Sequence, residues 1–349
     1  MRGVVLSVAS SYFLNKKWYK ALRCYNVACK IRGERVQTSH TTHIINRKGI
    51  CLLQIGRFTE ALKHFKDEYP LRRETPRTYP YKADEIACFL NQGLCYFGLR
   101  YWKDAIRYSM MFLSAISFNN LSMNSDSATC ETMVGICLFL VGNYEEAERH
   151  FETELSIRLE MALADSTKND QALCYYNLGR CQFNLNKLED AYTNLFVALG
   201  IWEHSNETDC LPRAADCLNL IGAYFCQKQD YSKALDFYGK EKTIRNSLKS
   251  YRNIDMKMAL NHFHSAQCLF SIGRYQESSK AFKTAKNFFK SNNNNEASLM
   301  VLANCFNMIG LCKSMMLEYT AGLRKFTKEL DIRKQLLLGS PNDNQAAEN

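Results

Sequence analysis

A small residue followed twelve positions later by another small residue recurs eight times along the 349-residue chain. The first members are Ala9, Gly49, Gly93, Gly135, Gly179, Gly222, Ala266 and Gly310; the second are Ala21, Ala61, Ala105, Ala147, Ala191, Ala234, Ser278 and Gly322. Three residues before each second member stands a large side chain (Trp18, Phe58, Trp102, Tyr144, Leu188, Tyr231, Tyr275, Tyr319). Four residues after it come Tyr25, Phe65, Ser109, Phe151, Leu195, Tyr238, Phe282 and Phe326. Positions three and four apart share one face of a helix. Each unit therefore predicts two antiparallel helices that cross where their side chains are smallest, with large residues filling the space around the crossing. Between the helices, Gly56, Gly142 and Gly273 tolerate the positive φ that stops the first one. A hairpin of this kind exposes an apolar face that only the next can cover, which predicts one continuous array.

The registers resemble the tetratricopeptide repeat family, as in Asn91-Gln92-Gly93-Leu94-Cys95-Tyr96 followed by Tyr101-Trp102-Lys103-Asp104-Ala105. The resemblance covers residues 1–338 and implies an all-α, right-handed superhelical solenoid of about eight hairpins. Residues 339–349 are expected to be a disordered polar tail. Successive units lie 40 to 44 residues apart, longer than the family's usual repeat of about 34, and no proline closes each unit. Such long repeats are similar to those of kinesin light chains and related adaptor and scaffold proteins. The extra length is expected partly in polar connectors at residues 119–126 and 291–295. Pro70, Pro76 and Pro80 fall in the longest irregular connector, read either as a local bend or as an exposed binding loop.

Composition agrees with a helical protein: 46% hydrophobic, 23% charged and only five prolines. No unbroken run of 18 apolar residues occurs, so no membrane span is expected. Arg2 and the apolar residues up to Ala9 read as a first helix rather than a cleaved signal, because Tyr12, Phe13 and Trp18 continue the pattern.

Of the 15 cysteines, Cys51, Cys95, Cys137, Cys181, Cys268 and Cys312 lie two residues after the small register, and Cys88, Cys130, Cys174, Cys217 and Cys305 lie five before it. Pairs seven apart on one helix are separated by roughly 10 Å of rise and cannot bridge. They read as small buried hydrophobes in a reducing cytoplasm. No CxxC pair occurs, and His40/His43 and His262/His264 lack the spacing of a metal site. Phosphate-loop, dinucleotide, nucleophile-elbow and zincin motifs are absent too. The chain is expected to be no enzyme and to need no metal or cofactor.

A second periodicity doubles the repeat. Glu68/Arg72, Glu154/Arg158, Glu241/Arg245 and Glu329/Arg333 recur about every 87 residues, whereas the intervening units carry Phe112/Ile116, Ala198/Trp202 and Ala285/Phe289. Glu before Arg at four residues is the favourable order. The preferred reading is an ion pair that also fixes the register of neighbouring hairpins, since a buried carboxylate needs a partner. The alternative is a surface that grips a repetitive ligand.

In the resembled family, inner-wall positions lie two and three residues before the glycine and one after it. Here these positions give Asn46, Arg47, Asn91, Asn177, Arg180, Asn219, His264, Gln267 and Asn307. Amides both donate and accept, which suits the backbone of an extended peptide. The lysines of the carboxylate-clamp subtype are missing: Ala87, Leu90, Thr129 and Thr132 stand at those places. The favoured partner is therefore a peptide or helix of a cytoskeletal, ciliary, trafficking or signalling protein. Net charge is +10, with 16 Lys/Arg against 5 Asp/Glu in residues 1–80. The second reading follows from that end: nucleic acid or anionic membrane held by Lys16, Lys17, Lys20, Arg23, Lys30, Arg32 and Arg35. A receptor for a short signalling peptide ranks third. Self-association is expected if the apolar edge near Phe326 and Leu330 stays uncovered by residues 336–338.

Overall fold

The computed structural model describes residues 2–32, 39–73, 83–161, 168–204, 210–248, 254–292 and 295–339, and among them there is no β-strand. Sixteen helices follow in eight successive helix-turn-helix units: α1 (Arg2–Leu14) and α2 (Trp18–Arg32), α3 (Ser39–Gln54) and α4 (Phe58–Arg73), α5 (Ala83–Gly98) and α6 (Trp102–Phe118), α7 (Ser125–Leu140) and α8 (Tyr144–Met161), α9 (Lys168–Asn184) and α10 (Leu188–Glu203), α11 (Leu211–Gln227) and α12 (Tyr231–Ser247), α13 (Ile254–Ser271) and α14 (Tyr275–Ser291), α15 (Glu296–Met315) and α16 (Tyr319–Gly339). This is the all-α, tetratricopeptide-like hairpin architecture that the registers predict.

The chain forms two compact blocks, Met1–Lys187 and Leu188–Asn349. In the first, the second helix of each hairpin packs on the first helix of the next: α2 on α3, α4 on α5, α6 on α7 and α8 on α9. The second block repeats this with α10 on α11, α12 on α13 and α14 on α15.

At Gly49, Gly135, Gly222 and Gly310 the glycine makes room for a ring rather than for another small residue. A Cβ on Gly49 would lie 2.6 Å from the Phe65 ring, and one on Gly222 2.6 Å from the Tyr238 ring. Phe65 and Tyr238 are the large residues sixteen positions on, and both are buried. At Gly93 the partner is Ser109, whose hydroxyl would be 3.3 Å away. In those four hairpins the crossing is thus close because an aromatic ring seats on a bare Cα. The second small row, Ala21 to Ala234, is wholly buried in the same layer.

All eight turns share one geometry, although only three carry glycine. Seven residues after the small register the backbone has positive φ at Lys16, Gly56, Arg100, Gly142, Asn186, Gln229, Gly273 and Leu317. Each of these N–H groups donates to the carbonyl three residues back, and the next N–H to the carbonyl five back, as with Leu317 to Ser314 and Glu318 to Lys313. Paired bonds of this type satisfy the orphan carbonyls at a helix end.

The extra repeat length is taken up largely by the helices, which run from 13 to 21 residues. In the connector at 119–126, α7 already starts at Ser125, with Asn124 accepting from the backbone of Asp126 and Ser127. Asn295 caps α15 in the same way. Residues 293 and 294 lie outside the described residues. Pro70 is not in a connector but inside α4, where its missing N–H removes one bond of the helical ladder. Pro76, Pro80 and the tail 340–349 lie outside the described residues. Helix α15 is long and apolar enough to cross a membrane by length and composition. Its buried Leu302, Ala303, Cys305, Phe306, Ile309 and Cys312 account for that apolarity, since α14 and α16 both pack on it. At the last hairpin Tyr319, Leu323, Leu330 and Leu337 remain more than half exposed.

Candidate functional site

The four glutamates of the doubled period are buried: Glu68, Glu154 and Glu241 wholly, and Glu329 to 9% exposure. A carboxylate removed from water must be paired, and the arginine one turn on supplies the first partner. Arg158 Nε donates to Glu154 Oε1 at 2.9 Å, Arg245 Nε to Glu241 Oε1 at 2.6 Å, and Arg333 Nε to Glu329 Oε1 at 2.8 Å. The side chain of Arg72 lies outside the described residues.

The second oxygen is met by an amide 22 residues earlier, on the first helix of the same hairpin. Asn46 Nδ2 donates to Glu68 Oε2 at 3.0 Å, Asn219 to Glu241 at 3.0 Å, and Asn307 to Glu329 at 2.8 Å. The arginine reaches the same first helix: Arg245 Nη2 donates to Asp216 Oδ1 at 2.9 Å and Arg333 Nη2 to Asn304 Oδ1 at 3.0 Å. The following hairpin joins as well, through Asn261 Nδ2 to Glu241 Oε2 at 2.7 Å and Lys257 Nζ to Asp216 at 2.7 Å. Around Glu241 the cluster therefore ties three helices together, α11, α12 and α13. Three of the nine candidate wall residues, Asn46, Asn219 and Asn307, each spend an amide hydrogen on the glutamate of their own hairpin. The recurrence of Asn three residues before the glycine only in glutamate-bearing hairpins was the sequence signal for this pairing. Asp216, Asn261 and Asn304 carried no comparable mark.

The Glu154 cluster is incomplete. Thr132 stands in the asparagine place and donates instead to the carbonyl of Ala128 at 2.8 Å. Cys174 stands where the Glu241 cluster has Asn261, and its thiol is directed to the carbonyl of Asp170 at 3.2 Å. Glu154 Oε2 accepts no hydrogen bond. Arg158 also pairs with Asp170 at 3.3 Å. Burial alone would lower the pKa of Arg158, but the bond and charge of Glu154 outweigh it and raise the value above the ordinary arginine range.

The remaining candidates lie on first helices. Those helices touch their counterparts directly, α3 with α5, α5 with α7 and α7 with α9 in the first block, and α11 with α13 in the second. In the first block α3, α5, α7 and α9 thus form a run of contacting first helices, and in the second α11 and α13 do. Arg47 lies over the Phe13 ring at 4.4 Å, and Arg180 over Phe139 at 4.4 Å and Tyr176 at 5.2 Å. Asn91 is half-buried and Gln267 exposed. Asn177 is 4% exposed, and its Nδ2 has no hydrogen-bond partner. His264 lies beside the Tyr238 ring, with Nδ1 3.5 Å from Asn219 Nδ2. Burial holds its pKa below the usual histidine value.

Basic charge is gathered in two places, of which the sequence tally singled out only the first. Lys16, Lys17, Lys20, Arg23 and Lys30 are exposed on and before α2; the side chain of Arg32, and Arg35, lie outside the described residues. A second basic face joins α14 and α16. Lys286 and Lys328 both approach the Phe306 ring, at 5.8 and 6.0 Å. Burial and then neighbouring lysines lower the pKa of Lys286 and of Lys325.

The register thiols behave as apolar filler. Burial pushes Cys95, Cys181 and Cys305 up to about 12, so they stay protonated. Among the described residues no three His, Cys, Asp or Glu side chains converge as a metal site.

No family model and no curated protein matches the sequence. Solved structures of the same fold do. A STAND signal-transduction ATPase with a tetratricopeptide repeat sensor from Pyrococcus horikoshii aligns with 97% of this chain at 12% identity and a TM-score of 0.64. The chain spans 49% of that protein. The apo quorum sensor NprR from B. thuringiensis is 14% identical, with a TM-score of 0.61 over 95% of this chain and 87% of that one. The apo form of RapI is 14% identical, with a TM-score of 0.56 over 86% of this chain and 100% of that one. At these identities the likeness is one of fold, the helical repeats of tetratricopeptide type.

Proposed function

We propose that the chain is a non-enzymatic interaction scaffold that holds an extended peptide segment, or one helix, of a partner protein along its first-helix wall. The observation that carries this reading is the direct contact between successive first helices, which brings polar side chains onto one side of a block. Asn91, Arg180 and Gln267 stand on that side outside the buried ion-pair clusters, and amides can meet both the donors and the acceptors of a peptide backbone. The unpartnered amide of Asn177 adds to it, because a buried donor without a partner costs about 1–3 kcal/mol. A short free signalling peptide is the second reading, favoured by the descriptions of the quorum sensor and the repeat sensor that share the fold. The long repeats keep an affiliation with kinesin-light-chain-like adaptors in view as a proposal. Protonated register thiols fit a reducing cytoplasm, and the exposed leucines of α16 fit self-association through that end.

The test is selection of a displayed peptide library on the full chain, followed by affinity measurement with Asn91→Ala, Arg180→Ala and Gln267→Ala. Asn91→Ala and Arg180→Ala are each expected to weaken a peptide held by the first block about tenfold, ~1.4 kcal/mol, and Gln267→Ala one held by the second, with Tm unchanged. A library that yields no binder, or binders indifferent to all three, refutes the wall as the site. RNA or liposome binding that vanishes on charge reversal of Lys16 and Lys17 would favour the basic-end reading instead.

A further inference from the structure

Four cysteines fall outside the two repeat registers, and one of them, Cys226, meets a register cysteine. Cys226 stands four residues after Gly222, a place where five of the other hairpins carry phenylalanine. The smaller side chain leaves its Sγ 3.0 Å from Sγ of Cys268, across the contact between α11 and α13. Both thiols are free. Cys226 is half-buried, whereas Cys268 is 1% exposed. The hydroxyl of Tyr238, on α12, lies 3.6 Å from Cys226 Sγ. Three helices therefore converge on one half-buried cysteine.

We propose that Cys226 and Cys268 form a peroxide-reactive dithiol whose disulfide joins the first helices of the sixth and seventh hairpins. A bonded pair needs an S–S distance of about 2.05 Å, so the sulfurs must approach by only about 1 Å from their present contact. The nucleophile is Cys226. The hydrogen bond from Cys268 draws its pKa down to about 7 against the opposing effect of burial, with Tyr238 assisting. The same bond, together with burial, pushes Cys268 up, so the proton stays on the buried partner. Burial likewise raises Tyr238, which remains a donor.

The chemistry balances with a peroxide as oxidant. The Cys226 thiolate attacks one peroxide oxygen: an S–O bond forms, the O–O bond breaks, and the departing oxygen takes up a proton. Cys226 is then a sulfenic acid. Cys268 attacks that sulfur: the S–S bond forms, the S–O bond breaks, and hydroxide leaves with the Cys268 proton as water. Two thiols are oxidised by two electrons and one peroxide is reduced, giving two waters when the peroxide is hydrogen peroxide. The crosslink would fix α11 against α13. Asn219 and His264 of the candidate wall lie on those same helices, two turns and one turn from the linked sulfurs.

The test treats the full chain with hydrogen peroxide, counts thiols after denaturation and maps the oxidised positions by mass spectrometry. Two of the fifteen thiols should disappear together, a peptide linking Cys226 to Cys268 should appear, and dithiothreitol should restore both. Cys226→Ser, at a half-exposed position, should abolish the loss while its helical spectrum matches that of the parent. Cys268→Ser should leave a sulfenic acid on Cys226 that a dimedone probe traps. The proposal is overturned if peroxide consumes Cys24 or Cys29 of α2 while Cys226 and Cys268 remain alkylatable. It is equally overturned if Cys226→Ser loses the same number of thiols as the parent.

Discussion

Replacing Thr132 by Asn gives the Glu154 cluster the donor that its three sister clusters possess. In those clusters an asparagine 22 residues before the glutamate donates to Oε2 at 2.8 to 3.0 Å. Thr132 occupies the same place on α7, half-buried, and its hydroxyl turns back to Ala128. A hydrogen bond to a carboxylate is worth about 1.5–3 kcal/mol. Against it stand the ordering of a longer side chain, about 1 kcal/mol, and loss of a back-bond that does little for a helix. The net gain is about 1–2 kcal/mol, which for a block of 187 residues corresponds to roughly 2–6 °C in Tm. Calorimetry of the full chain measures the shift, and amide exchange of α7 and α8 should slow with it. Thr132→Val is the control: it adds no donor, so Tm should stay near that of the parent. An unchanged or lower Tm for Thr132→Asn, with helical content intact, would refute the claim that an amide at this place donates to Glu154 as its counterparts do in the sister clusters.

Gly222→Ala should destabilise by about 1–3 kcal/mol, because its Cβ meets the buried Tyr238 ring at 2.6 Å. Gly93→Ala, whose nearest neighbour is the Ser109 hydroxyl at 3.3 Å, should come out near neutral, since alanine regains about 0.5–1 kcal/mol of helix propensity; the reverse order in urea unfolding would sink the ring-on-glycine account. Leu317→Gly should raise stability by about 1 kcal/mol, since leucine is held at φ 63° where an L side chain is strained; a lower Tm would show that its contacts outweigh the strain. Burial lowers the pKa of His64, His262 and His264 below 6.5. The unfolded chain then binds more protons than the folded one, so stability is fully present above pH 6.5 and is lost as pH falls through the folded values. Melting curves at pH 7.5 and 5 should show this fall, and a flat profile would contradict it.

What the sequence determined by itself is whatever is encoded at helical spacing. Twelve residues between small positions, three to the large one and four to the next are local distances, and they placed both helices of every hairpin. Glu and Arg one turn apart were legible for the same reason. The tertiary structure decided what lies across helices. Asn219 and Glu241 are 22 residues apart, and only the closed hairpin shows that the amide is spent on the carboxylate as well as standing on the wall. The left-handed turn at Arg100 or Leu317 carries no glycine to announce it; a backbone conformation imposed by two packed helices overrides the residue's own preference. Pro70 reads as a connector residue, yet tertiary packing of α4 keeps it helical at the loss of one bond. Cys226 looks like a stray cysteine until α11 and α13 come into contact. Which side chains meet over 42 residues of chain is set by how hairpins pack, and no periodicity within one helix records it.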